Sequence, residues 1–200
     1  MKLLATNTSP YSRKVLMLAH ERGLMEMLAF VPTELASEAL AHENPLNKVP
    51  ALVLDDGTSL FDSPVICEYL DSGGEGPRLF PPVGPSRWQA LREQALADGI
   101  CDAAVLRMQE GRRPPEMRWD QWVARQVRKI EQGLDEFERL RQINPAPGAA
   151  LTIGDLALLS ALGYLDLRFP EDDWRSKRPR LSAWFDRFSD RDSFRATRPQ

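Results

Sequence analysis

Cysteine and histidine are scarce in this chain of 200 residues: Cys67, Cys101, His20 and His42 are all there is. The cysteines form no Cys-x-x-Cys pair and no zinc-type spacing with the histidines, which argues against a disulfide framework, a dithiol redox centre and a metal site. Each lies among apolar residues at helical spacing, so both read as buried reduced thiols suited to a cytoplasmic address. Long apolar runs are missing too. Nothing approaches the ~20 residues that span a bilayer, and Met1-Lys2-Leu3-Leu4-Ala5 turns polar too soon for a secretory leader. Positive charge is not in excess: 26 Lys and Arg face 29 Asp and Glu, a net of −3, which gives no footing for nucleic acid or an anionic membrane. What is present is 42% apolar residues, enough for one large core or two small ones.

Proline, at 16 residues, supplies much of the punctuation. Leu3–Ala5 reads as a short strand. Ser9-Pro10 reads as a helix start, a capping hydroxyl followed by a residue whose missing N–H was unpartnered anyway. Val15, Leu16, Leu18 and Ala19 stripe that helix, which stops at Gly23. Met27–Val31 reads as a second strand ended by Pro32, and Leu35–His42 as a short, poorly patterned helix before Asn44-Pro45. A hairpin of Ala51–Leu54 and Ser59–Phe61, turning at Asp55-Asp56-Gly57-Thr58, leads into a third helix with Val65, Ile66, Tyr69 and Leu70 at core spacing. The order βαβαββα fills residues 1–75, and residues 76–85, rich in Gly and Pro, read as a linker.

From residue 86 to 200 every element reads as helix. The first runs from Ser86 to about Glu110. A longer one follows Pro114-Pro115 with Trp119, Trp122, Ile130, Leu134 and Phe137. An almost wholly apolar one, Leu156–Leu165, begins at the Thr152-Ile153-Gly154-Asp155 cap and belongs at the centre of a bundle. Leu181, Trp184 and Phe185 mark the last. Trp119, Trp122 and Trp184 read as core, Arg175–Arg180 as a solvated loop, and Arg195–Gln200 as a loose tail.

One stretch, Asn44 to Ser63, has two features that suit a peptide-like ligand. Pro50 heads a strand, where it gives up a ladder donor and, with a cis bond, turns the Val49 N–H and C=O outward to pair with an extended partner. The helix start at Ser63 offers a hydroxyl and free backbone N–H groups to a carboxylate. Each half alone also reads as an ordinary hairpin and a self-capped helix. Together, at this spacing, they favour a ligand.

Four segments, Ser9-Pro10-Tyr11-Ser12-Arg13, Lys48-Val49-Pro50, Asp62-Ser63 and Thr152-Ile153-Gly154-Asp155, stand in an order and spacing that resembles the glutathione transferase family across nearly the whole chain. The resemblance implies an α/β thioredoxin-like N-terminal domain, an all-α C-terminal domain and a homodimer. It implies that Lys48, Val49 and Pro50 meet the tripeptide, with the Val49 backbone paired to its cysteinyl part and Pro50 cis. Asp62 and Ser63 would hold the γ-glutamyl amine and carboxylate, and Asp98 would reach that amine across the dimer. Ser9 falls beside the sulfur. Asn47 stands where many members have glycine, a departure that asparagine tolerates because it enters left-handed backbone readily. The implied activity is conjugation of glutathione, as co-substrate and without a metal, to a small apolar electrophile, or a related glutathione-dependent reaction. The alternative is a non-catalytic, transferase-like protein that binds a protein partner. Tyr11 and the residues from Ile100 to Met108 read either as lining of the electrophile pocket or as core.

The chemistry sets a requirement. A free thiol with a pKa of about 8.5 is only a few per cent ionised near neutrality. Lowering that pKa by ~2 units takes ~2.7 kcal/mol of preferential anion stabilisation. A hydroxyl donor at a helix N-terminus is of the right order, and Ser9 offers both. Ser9 is equally an N-cap with its oxygen occupied by its own helix, and Thr8 and Tyr11 stand as substitutes. The absence of cysteine at position 9 counts against a glutaredoxin-like role. Arg13 and Lys14 read as a positive potential near the thiolate or as a solvated helix face. His42 is a candidate for the glycyl carboxylate.

Overall fold

The computed structural model describes residues 1–143 and 151–199. Four short strands, β1 (Lys2–Ala5), β2 (Ala29–Pro32), β3 (Ala51–Val53) and β4 (Ser59–Leu60), form one mixed sheet in the order β2-β1-β3-β4. β1 and β2 run parallel, in register Leu3↔Phe30, and α1 (Pro10–Glu21) supplies the crossover that parallel pairing demands. β1 and β3 are antiparallel, as are β3 and β4. Alternation along the strands sorts their side chains onto two faces. Leu3, Ala5 and Leu52 join the main core, against α1 and α3 (Ser63–Gly73). Leu4 and Ala51 form a small second core with Leu40 of α2 (Glu38–Glu43).

The second strand and second helix both begin later than their sequence patterns suggest. Met25–Met27 makes a 3-10 turn, so β2 starts at Ala29 and takes in Pro32, which an edge strand tolerates because one side of its ladder is unpaired. α2 starts at Glu38 because the Ser37 hydroxyl caps it, accepting from the Leu40 N–H at 3.2 Å.

Between α3 and α4 (Pro85–Gly111) the chain is pinned rather than loose. The buried Asp71 carboxylate accepts from the Leu79 and Phe80 N–H groups at 2.9 and 3.1 Å, and Arg22 lies 3.3 Å from it. The helical half comprises α4, α5 (Asp120–Ile143), α6 (Ile153–Arg168), α7 (Pro179–Ser189) and α8 (Asp192–Ala196). α6 is the buried centre. Its start is a capping box, in which the Thr152 N–H donates to Asp155 at 2.9 Å and the Thr152 hydroxyl accepts from the Asp155 N–H at 3.4 Å. Gly154 lets α4 close in, since a Cβ there would come within 2.7 Å of the Glu93 Cβ and 2.9 Å of the Ala90 carbonyl.

Three expectations in this half need correction. Trp119 is 60% exposed and stacks on half-buried Trp122 (centroids 6.0 Å apart), because the inward stripe of α5 starts only at Gln126. Trp184 does pack against the main core, half-buried beneath the Arg141 guanidinium. The run Arg175–Arg180 is not simply solvated: Arg178 is buried and paired with Glu131 and Asp135 at 2.6 and 2.7 Å. The C-terminus is not a loose tail as far as Thr197, since α8 buries Phe194 and the Thr197 hydroxyl donates to the Ser193 carbonyl at 2.8 Å. Gln200 lies outside the described residues.

Candidate active site

Strand register brings the candidate residues to one end of the sheet. β1 pairs with β3 as Leu4↔Ala51, and β3 with β4 as Leu52↔Leu60. Continued past the last pairs, those registers set Thr6 against Val49, Pro50 against Asp62 and Val49 against Ser63. The exit of β1 into α1, the entry to β3 and the exit of β4 into α3 therefore share an end, and both helices aim their first-turn N–H groups at it.

The Val49–Pro50 bond is cis and Pro50 is buried. Among the described residues neither the N–H nor the C=O of half-buried Val49 has a hydrogen-bond partner. Buried Asn44 fixes the loop before it: its Nδ2 donates to the Lys48 carbonyl at 2.8 Å and its Oδ1 accepts from the Leu46 N–H at 3.0 Å. Asn47 turns at φ 52°, and its N–H donates to the Asn44 carbonyl at 2.7 Å. The Lys48 side chain is exposed.

At the head of α3, Asp62 occupies the N-cap position without making a capping bond and is exposed. The self-capped helix, one of the two readings of the sequence, is not what forms. Ser63 is only 2% exposed, and its hydroxyl has no partner among the described residues. At the head of α1 the opposite holds. The Ser9 oxygen accepts from the Ser12 N–H at 3.2 Å, so Ser9 caps its own helix. Accepting uses a lone pair and leaves the hydroxyl hydrogen free to donate.

Tyr11 donates its hydroxyl hydrogen to Asp102 of α4, and burial, reinforced by that bond, pushes its phenol pKa far above the usual value. That hydrogen is taken. Thr8 sits exposed in the turn before α1. Arg13 and Lys14 are not a solvated face, because α1 is packed against α3, α4, α6 and α8 at once. Lys14 is 1% exposed and donates to both Asp98 oxygens, at 2.7 and 2.6 Å. Arg13, 5% exposed, donates to the Phe194 carbonyl at 3.0 Å and lies 3.9 Å above the Phe194 ring centroid. Burial lowers its pKa to about 10.

Asp98 thus meets Lys14 of its own chain and keeps about a fifth of its side chain exposed (20%). Burial raises its carboxyl pKa despite Lys14, and neighbouring Asp102 and Asp62 push the same way. Cys67 and Cys101 are buried in the same layer, and burial pushes the Cys67 thiol up to about 12. His42 is exposed beside Glu43. The Lys14–Asp98 and Tyr11–Asp102 pairs were legible only jointly. Tyr11 and Lys14 are three apart on one helix and Asp98 and Asp102 four apart on another, so each pair shares a face. Among the described residues no group of His, Cys, Asp or Glu is placed to hold a metal ion, and no helix is long and apolar enough to cross a membrane.

A four-stranded mixed sheet with an unpaired residue at the entry to its third strand, between two helix N-termini, followed by an all-helical half, is the architecture of glutathione transferases. Family models match accordingly: "Glutathione S-transferase, N-terminal domain" over residues 8–72 and "Glutathione S-transferase, C-terminal domain" over residues 120–187. The chain is 33% identical over 200 residues to the uncharacterized GST-like protein YibF of Escherichia coli K12, covering 100% of this chain and 98% of that one. It is similar to a glutathione S-transferase from Methylobacillus flagellatus KT solved with glutathione bound (38% identity, TM-score 0.93, 100% and 99% of the two chains). A glutathione transferase family member from Pseudomonas fluorescens Pf-5, solved with S-(propanoic acid)-glutathione, is 40% identical with a TM-score of 0.90 over 100% of both chains. The protein belongs to the glutathione S-transferase family.

Proposed function

We propose that the protein is a glutathione transferase that binds the tripeptide at the entry to β3 and conjugates its thiolate to a small electrophile with an apolar body. The observation that carries this is the α3 N-terminus: a helix start without a side-chain cap, with the unpartnered Ser63 hydroxyl inside it and exposed Asp62 beside it. An amino-acid head group needs that combination, donors for its carboxylate and an acid for its ammonium. Val49, both of whose backbone groups are unpaired among the described residues, adds the strand-like pairing that an extended peptide requires. Lys48 contributes an exposed cation in the same loop.

In this reading Ser9 donates its free hydrogen to the sulfur, and the α1 dipole favours the anion. Tyr11, committed to Asp102, holds α1 against α4 instead. Relatives crystallised with glutathione and with a glutathione adduct support the ligand. Val65 and Tyr69 on α3 and Trp88 on α4 expose apolar surface beside exposed Ala95 and Gly99, and this face would carry a homodimer. Asp98, exposed in part beyond its contact with Lys14, would there serve the γ-glutamyl amine of the second copy. Two buried, high-pKa thiols suit a cytoplasmic location.

Titration calorimetry with glutathione tests the ligand. Saturable binding is expected, weakened about tenfold in Ser63→Ala by loss of one charge-assisted hydrogen bond. Absence of binding by the unmodified protein would overturn the reading. Binding without conjugation of a chloronitrobenzene acceptor would leave a binding protein rather than an enzyme.

A further inference from the structure

Resting on the glutathione reading, we infer that Asp102, held beside the thiolate site by Tyr11, selects electrophiles that carry an organic cation on their apolar body. The geometry starts at α1. Ser9 is its N-cap, and Tyr11 stands two residues on, ~3 Å of helix rise away. The Tyr11 hydroxyl donates to Asp102 of α4, so one tyrosine side chain separates that carboxylate from the turn that carries Ser9. The bond does not bury the acid. Asp102 stays exposed, its second carboxylate oxygen has no hydrogen-bond partner among the described residues, and Tyr11 is half-buried beside it. Leu106, 36% exposed, and exposed Gln109 follow at helical spacing on the same side of α4. The apolar face proposed for the homodimer runs from the start of α4, where Arg87 pairs with Glu68 of α3, to Gly99. Asp102 begins the next turn, where Tyr11 of α1 is the neighbour.

The surroundings leave the charge of Asp102 uncompensated. Its neighbour one turn back, Asp98, is neutralised by Lys14, whose Nζ lies 2.7 and 2.6 Å from the two Asp98 oxygens. Arg13 is turned to α8 by its bond to the Phe194 carbonyl. Arg107, in the turn after Asp102, pairs with Asp172 and lies 3.9 Å above the Phe169 ring centroid. Arg113, farther along α4, is 3.7 Å from Glu110. Among the described residues no Lys, Arg or His comes within ion-pairing range of Asp102. Tyr11 gives it a hydrogen bond and no charge. A carboxylate with a free oxygen beside an aromatic side chain suits a quaternary or protonated amine, which is attracted by both, and Leu106 offers contact to an apolar body. The same charge disfavours an electrophile that carries a carboxylate.

Two chlorodinitrobenzamides test this, one with a trimethylammonioethyl group on the amide nitrogen and the other with a neohexyl group, the same shape with carbon in place of the cationic nitrogen. In both, the thiolate sulfur lone pair forms the C–S bond at the chlorine-bearing carbon, the C–Cl pair departs as chloride, and the thiol proton goes to solvent. The quantity read is kcat/KM for each compound, divided by its uncatalysed rate with glutathione and taken as a cation-to-neutral ratio. An effect of Asp102 on the thiolate itself is common to both compounds and cancels. Asp102→Asn keeps an acceptor for the Tyr11 hydroxyl and removes the charge. It is expected to lower the ratio about fivefold, the upper end of what an exposed ion pair contributes. High salt should shrink the ratio in the unmodified protein and leave it unchanged in Asp102→Asn. A ratio unmoved by the substitution overturns the inference. Calorimetry with the two finished conjugates, made chemically, reads the same preference without turnover. Conjugates bound with a preference indifferent to Asp102→Asn sink the cation site alone, whereas failure to bind glutathione or either conjugate sinks the ligand reading with it.

Discussion

Substituting Ser9 separates the cap its hydroxyl forms from the thiolate donor proposed for it. As a cap, its oxygen accepts from the Ser12 N–H at 3.2 Å, toward the long end for such a bond, so Ser9→Ala should cost about 0.5–1 kcal/mol of stability. As a thiolate donor, its hydrogen contributes a charge-assisted bond of about 1.5–3 kcal/mol, equivalent to ~1–2 pKa units on the bound thiol. Glycine tolerates the N-cap position at a cost of only a few tenths of a kcal/mol. Ser9→Gly should therefore nearly keep stability yet lose the donor, while Ser9→Ala loses both. The assays are urea unfolding, and the pH dependence of thiolate ultraviolet absorbance in the glutathione complex. The expected outcome is a bound-thiol pKa raised by ~1–2 units in both variants and conjugation near neutrality slowed ~10–100-fold. If the thiol pKa and the rate hold while only stability falls, and falls more in alanine than in glycine, Ser9 is a cap and nothing else.

Lys14→Met leaves the Asp98 carboxylate buried without its partner, and a loss of ~3–5 kcal/mol is expected in urea unfolding. The Asp98 pKa is raised by burial in the folded state, so the penalty is complete above that folded value and vanishes once pH falls below the unfolded one. The variant should accordingly recover toward the parent as pH falls through the raised folded value of Asp98 toward the ordinary carboxylate range of about 4, and a deficit unchanged down to that range would contradict a buried charge as the cause. Adding Asp98→Leu to Lys14→Met should restore most of the loss at neutral pH. Ser9→Cys should create a thiol with a pKa below the ordinary ~8.5, seen in the pH dependence of alkylation, because it stands at the N-terminus of α1. Cys67 and Cys101 should stay silent in that assay until the protein is unfolded; prompt reaction of either in the native state would contradict their burial.

Much of the backbone around the candidate site was legible because it is written in consecutive residues. Pro50 after Val49, the Asp55–Thr58 turn and Ser63-Pro64 each carry their own backbone instruction, and the hairpin register then aligns them. The burial of Arg13 and Lys14 was not legible. In sequence they are two adjacent cations on an amphipathic helix, and only the packing of four helices around α1 removes them from water. Trp119 failed in the other direction. Its spacing continues the apolar stripe of α5, but it precedes Asp120, the first residue of the helix, where the bundle no longer covers it. Capping was read correctly at Thr152, whereas at the N-cap Asp62 the self-capped alternative for the third helix is not what forms. The first has a partner three residues on, in Asp155, whereas the second is followed by Ser63-Pro64, and no capping bond forms there.

The buried charges on α1 are a costly way to hold two halves together, since apolar pairs of similar volume commonly stabilise more. Direction explains the choice. Lys14 and Tyr11 fix α1 to α4 through bonds to Asp98 and Asp102, Arg13 fixes it to α8 through the Phe194 carbonyl, and Ser160 of α6 reaches the Pro10 carbonyl. Apolar contacts alone would let α1 slide or rotate by fractions of an ångström at little cost, whereas hydrogen bonds weaken steeply once their geometry is lost. Four polar ties onto three different helices leave its N-terminus one position. That terminus carries Ser9, and the donor role proposed for it requires a position within a few tenths of an ångström of the target. The helical half of the molecule thereby sets where the first-domain serine points.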